Sequence, residues 1–153
     1  MKKEFYISIF TSLISCLFVS TVQAQDLPPC WENADIGEVT ITGEAYQEDD
    51  TLIVEGTGAD IWGTADGFHF AYLPAEGDCE ISAYIASISL TAPDAKACEM
   101  IRENFEAGSK FAMSVACPVS GTYYQRRAET DAECGHDNLM HGLPSPVWVK
   151  LKR

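Results

Sequence analysis

From Phe111 to Cys117 the chain alternates: Phe111, Met113, Val115 and Cys117 are separated by Ala112, Ser114 and Ala116, and Pro118 and Gly121 stop the run. A period of two puts the large apolar residues on one face of a strand. The pattern recurs along the chain. Val39 and Ile41 interleave with Glu38, Thr40 and Thr42 and close at Gly43, and Leu52, Ile53 and Val54 follow the acidic turn Glu48-Asp49-Asp50. Phe68, Phe70 and Tyr72 share one face against His69 and Ala71, and Ile81, Ala83 and Ile85 alternate after Gly77-Asp78. Thr122 to Gln125 reads as a hairpin partner, and Val147, Val149 and Leu151 make a last strand. Short strands punctuated by Gly and Pro predict an all-β sandwich or barrel, and 153 residues suit one domain.

One segment reads two ways. Pro93 to Ala107 has Pro where a helix starts, strong helix formers, and Gly108 where a C-cap would sit. A strand would instead set Cys98, Met100 and Arg102 on one face and Ala97, Glu99 and Ile101 on the other.

The N-terminus reads as an export leader. Lys2 and Lys3 precede an uncharged stretch from Phe5 to Gln25, and Val22-Gln23-Ala24 is a small-residue cleavage site. Six Ser/Thr dilute the stretch as a membrane anchor. A lipoprotein start at Cys16, after Leu13-Ile14-Ser15, is the third reading, and the apolar Leu17-Phe18-Val19 argues against it. The expected layout is a leader over 1–24, a linker or capping segment over 25–34 and a domain over 35–153, exported to the periplasm or beyond the cell. No membrane span is expected after cleavage. Losing Lys2, Lys3 and Glu4 takes the net charge from −13 to −14. Such acidity excludes a broad nucleic-acid footprint, which needs clustered Lys and Arg.

Export leaves Cys30, Cys79, Cys98, Cys117 and Cys134, an odd set in an oxidising compartment. No C-x-x-C spacing occurs, so the cysteines read as structural, or partly unpaired.

The run Gly58-Ala59-Asp60-Ile61-Trp62-Gly63-Thr64-Ala65-Asp66-Gly67-Phe68-His69-Phe70-Ala71-Tyr72 continues through Gly77-Asp78-Cys79-Glu80-Ile81-Ser82-Ala83, the stretch Ala95 to Glu103, and Ala107-Gly108-Ser109-Lys110-Phe111-Ala112-Met113. It resembles the concanavalin A-like jelly-roll module of large secreted bacterial proteins, related to the C-terminal domain of some β-xylosidases and to the regulation of enolase protein. The likeness covers about Ala34 to Arg127. It implies an antiparallel two-sheet sandwich and makes the stretch Ala95 to Arg102 a strand. Two departures stand out: Cys98 replaces a Gly and Cys117 a non-cysteine, so a Cys98–Cys117 or Cys79–Cys98 cross-link is the expected disulfide. Several more strands follow in the family where Arg153 ends this chain. A sandwich lacking its last strands exposes sheet edges, which invites self-association or pairing with another chain.

Candidate sites follow from residue type. Glu129, Asp131 and Glu133 alternate; on a strand they would share a face, as in jelly-roll glucanases with a nucleophile and a general acid. The competing reading is a solvated acidic loop. His136, Asp137 and His141, near Cys134, match no closed zinc spacing. His69, between Phe68 and Phe70, reads as a hydrogen-bonded structural histidine. Calcium through Asp49-Asp50 or Asp60 and Asp66 lacks any EF-hand spacing, so surface acidity is the expected role of these residues and no cofactor is expected. Trp31, Trp62, Tyr123, Tyr124 and Trp148 are the aromatics able to stack on sugar rings. Of these, Tyr123, Tyr124 and Trp62, with Arg126 on the face of Tyr124, are the ligand candidates, although core packing competes at Trp62. The resulting expectation is a secreted, non-catalytic module binding carbohydrate or a cell-surface ligand. The alternatives are a glycoside hydrolase using Glu129 and Glu133, and an interaction fragment pairing through an open edge.

Overall fold

The computed structural model describes residues 4–7, 26–140 and 143–153, with side chains described from 26 to 137 and from 143 onward. The structure is all-β, with thirteen strands among the described residues. They are β1 (Glu4–Ile7), β2 (Glu32–Ile36), β3 (Glu44–Glu48), β4 (Thr51–Glu55), β5 (Ile61–Trp62), β6 (Ala65–Asp66), β7 (Phe68–Tyr72), β8 (Glu80–Ile85), β9 (Ala97–Arg102), β10 (Phe111–Cys117), β11 (Gly121–Arg127), β12 (Gly135–Met140) and β13 (Val147–Lys152). No helix among the described residues is long and apolar enough to cross a membrane.

A five-stranded sheet runs β13-β8-β1-β4-β3 and a four-stranded sheet runs β12-β11-β10-β9, with the pairs β2-β7 and β5-β6 beside them. Alternation along β10 divides the interior. Ala116 meets Ile85 of β8 and Val149 of β13, so this face packs against the five-stranded sheet. Met113, Val115 and Cys117 point the other way and join Ile61, Met100 and Phe111, with Phe68 and Phe70 packed against them. Met113 and Val115 have no exposed surface, and the alternating run that first marked β10 is the centre of this cluster.

The ambiguous segment is a strand over 97–102. Each of its residues pairs in register with β10, from Ala97↔Ala116 to Arg102↔Phe111. Both of its faces are needed for packing, Met100 in one cluster and Ala97 in the other, and that overrides the helix propensity.

One local reading is corrected, and a second is refined. The strand expected over 38–42 is not formed, and Ile41 is 68% exposed. Thr57 takes the backbone polar groups of Ile41 instead: its Oγ1 accepts from the Ile41 amide at 3.0 Å and donates to the Ile41 carbonyl at 2.8 Å. The strand starts later, at Glu44. The capping segment becomes β2, which straddles the expected boundary at 34 and pairs with β7 from Glu32↔Tyr72 to Ile36↔Phe68. Of the leader, only Glu4–Ile7 is described, as β1; Cys16 and the cleavage site lie outside the described residues.

Candidate functional site

The pair β5-β6 is a tight hairpin whose register, Ile61↔Asp66 and Trp62↔Ala65, leaves Gly63 and Thr64 as its turn. Gly63 has φ +58°, the left-handed value that such a turn demands at its first position. The hairpin turns Trp62 and its partner Ala65 outward and Ile61 and Asp66 inward: Trp62 is 41% exposed, whereas Ile61 and Asp66 are buried.

Asp66 anchors the hairpin from beneath. Arg127, at the end of β11, donates to it through both terminal nitrogens, Nη1 to Oδ2 at 2.8 Å and Nη2 to Oδ1 at 2.7 Å. The remaining donors of this guanidinium reach backbone carbonyls: Nε to Ala132 at 3.0 Å, Nη1 to Ser109 at 3.1 Å and Nη2 to Gly63 at 3.1 Å. Arg102 Nη1 adds a longer contact to Asp66 Oδ2 at 3.4 Å. A bidentate pair with every other donor used is the geometry in which a buried ion pair is tolerated. Asp66 is therefore not a surface acid, as its sequence context suggested; both of its carboxylate oxygens accept from guanidinium donors. Its partner lies 61 positions away, and no local pattern announces it.

Around Trp62 the polar groups are also fixed. Lys96 Nζ sits 5.5 Å from the ring centroid, donating to Asp60 Oδ1 at 2.6 Å and to the Ile61 carbonyl at 2.9 Å. Gln125, fully buried, donates from Nε2 to the same carbonyl at 2.5 Å. The exposed His136 of β12 lies 5.5 Å from Trp62 and 6.1 Å from Tyr123, centroid to centroid. The structure thus brings together two of the sequence candidates, Trp62 and Tyr123, and joins them through His136. Among the described residues no group of three His, Cys, Asp or Glu is placed to hold a metal ion; His141 is outside them.

The other candidates lie elsewhere. Tyr123 is half-buried, and its hydroxyl oxygen accepts from the Cys117 thiol at 3.7 Å; burial, then that contact, raises its pKa. Tyr124 points to the opposite face of β11, where Arg126 stacks 5.9 Å from its ring and pairs with Asp137 at 2.6 Å. Both tyrosines are half-buried. Tyr124 and Arg126 line a separate shallow groove with Lys110 and Arg153. Trp31 lines another, with Tyr46, Asn33, Glu44 and Glu48.

Glu129, Asp131 and Glu133 occupy the irregular connection between β11 and β12, all three exposed, with Asp131 at φ +60°. No strand forms there, so the three carboxylates do not share a strand face. Asp49 and Asp50 are exposed in the β3–β4 turn. His69 is 9% exposed, and its Nδ1 lies 2.7 Å from Asp35 Oδ1. That hydrogen bond, followed by one from the Gly43 amide, lowers the Asp35 pKa. Gly43 and Gly56 close around this histidine: a Cβ on either would come within about 2.5 Å of it.

Cys30, Cys79, Cys98, Cys117 and Cys134 are all free thiols, so neither expected cross-link is formed. The register explains the first: Cys98 faces Val115, leaving Cys117 diagonal to it. Cys79 precedes β8, in the other sheet. Burial pushes the Cys98 thiol up to about 12.

No family model, curated protein or solved structure matches the chain.

Proposed function

We propose that this chain is a secreted, non-catalytic sandwich module of the concanavalin A-like kind that binds carbohydrate through the surface around Trp62. The supporting observation is a single one: an indole 41% exposed on a two-residue hairpin, flanked by fixed polar groups. An exposed aromatic face packs on the C–H face of a sugar ring, while Asp60, half-exposed beside Lys96, and His136 offer partners for its hydroxyls. Because Arg127 fixes the Gly63 carbonyl and Asp66, little ordering remains to oppose binding. The acidic surface suits a neutral or cationic glycan better than a sulfated one. A glycan array probed with folded protein tests this reading. Retention on a defined class of neutral glycans is the expected result, and no retention on any glycan would defeat it.

A further inference from the structure

Strand β1 is the exception in the topology. It lies between β8 and β4 and runs parallel to both, whereas every other pairing among the described strands is antiparallel. On the β8 side its register is continuous, from Glu4↔Ser82 to Ile7↔Ile85. On the β4 side a single pair, Tyr6↔Thr51, is made. The flanking strands are held from outside, β8 by six register pairs with β13 and β4 by five with β3. Two antiparallel pairs thus bound a position one strand wide, and the segment in it is shorter than the β4 edge it faces.

Residues 4–7 fall within the segment read above as an export leader. Cleavage would remove the strand and leave two facing rows of backbone N–H and C=O groups inside a sheet, where such groups require partners. Resting on that leader reading, we propose that the exported protein is completed here by an extended segment of another polypeptide, inserted between β8 and β4 and parallel to β8. The position defines the segment. Its residues beside Ala83 and Ile85 adjoin the apolar cluster of Ile85, Ala116 and Val149, so alternate positions are apolar. Proline is excluded, because an inner strand uses its amides on both sides. Basic flanks are favoured, because the chain without Lys2, Lys3 and Glu4 carries a net charge of −14.

The full chain carrying an inserted specific-protease site after Ala24 tests this. After cutting, a peptide of the sequence Lys2 to Ser8 is added in excess, with a scrambled peptide and a Phe5→Pro peptide as controls. The proposal expects saturable 1:1 binding of the first peptide alone, by mass spectrometry, and amide exchange slowed tenfold or more over 51–55 and 80–85. Three results would overturn it: no binding, whether the cut chain stays folded or aggregates; binding without that protection; or protection of the same amides in the cut chain alone, by direct β4–β8 pairing or by a concentration-dependent dimer.

Discussion

Asp66 and Glu99 are carboxylates inside the same sandwich, 3% and 5% exposed, in opposite surroundings. Asp66 faces the cluster built on Met113 and Val115 and receives a bidentate guanidinium. Glu99 sits on β9 with the parity of Ala97, on the face that packs against the five-stranded sheet, opposite Ser114. Neither of its oxygens has a hydrogen-bond partner. The facing residues that β8 and β13 contribute there, Ala83, Ile85, Val147 and Val149, are apolar, and burial raises the Glu99 pKa to about 8. A charge met by a matched partner can hold a turn in place, as Arg127 and Asp66 hold the Trp62 hairpin. A charge without one keeps its proton instead. The layer that holds the Asp66–Arg127 pair carries the candidate ligand surface; the interface that holds Glu99 lies beneath the sheet whose inner position β1 fills.

Breaking the satisfied side has the largest expected effect. Arg127→Met leaves the buried Asp66 with only the longer Arg102 contact and should cost about 3–5 kcal/mol in a denaturant titration. Adding Asp66→Leu should recover part of that loss, because both charges are then gone. The unsatisfied side should respond in reverse. The unfolded chain releases the Glu99 proton near pH 4.3, whereas the folded protein keeps it until about 8. Stability therefore falls as pH rises through that window, by at most about 1.4 kcal/mol per pH unit, and levels off above it. Glu99→Gln should remove this slope, and an unchanged profile in that variant would show that Glu99 is not its source. The smallest effect is chemical. Cys98, with its thiol pushed up to about 12, should resist iodoacetamide at pH 8 in the folded protein, while the exposed Cys30 reacts. Peptide mapping after brief labelling would reveal the difference.

The strands could be read from the sequence wherever one face is apolar and the other is not. Phe111 to Cys117 and Val147 to Leu151 emerge as β10 and β13 because alternation and burial coincide there. Strand β12 left no such trace: Gly135, His136 and Asp137 are polar or small, and an edge strand can take its order from backbone pairing with β11 alone. Residues 38–42 alternate well yet form no strand, since a threonine sixteen positions beyond Ile41 competes for its backbone. At the site, Trp62 and Tyr123 could be picked out by residue type. The Asp66–Arg127 pair and the approach of His136 could not, because each depends on how β5-β6 lies across the four-stranded sheet, a relation between distant segments that leaves no local signature.

The most direct test of the account compares glycan retention by the wild-type protein, Trp62→Ala and Glu99→Gln on the same immobilised glycan. Removing a half-exposed indole should cost about 1–2 kcal/mol through its covered part, leaving Trp62→Ala folded. Retention is expected to fall at least tenfold in Trp62→Ala and to persist in Glu99→Gln. Equal retention by wild type and folded Trp62→Ala would contradict the assignment of the ligand surface to the Trp62 hairpin.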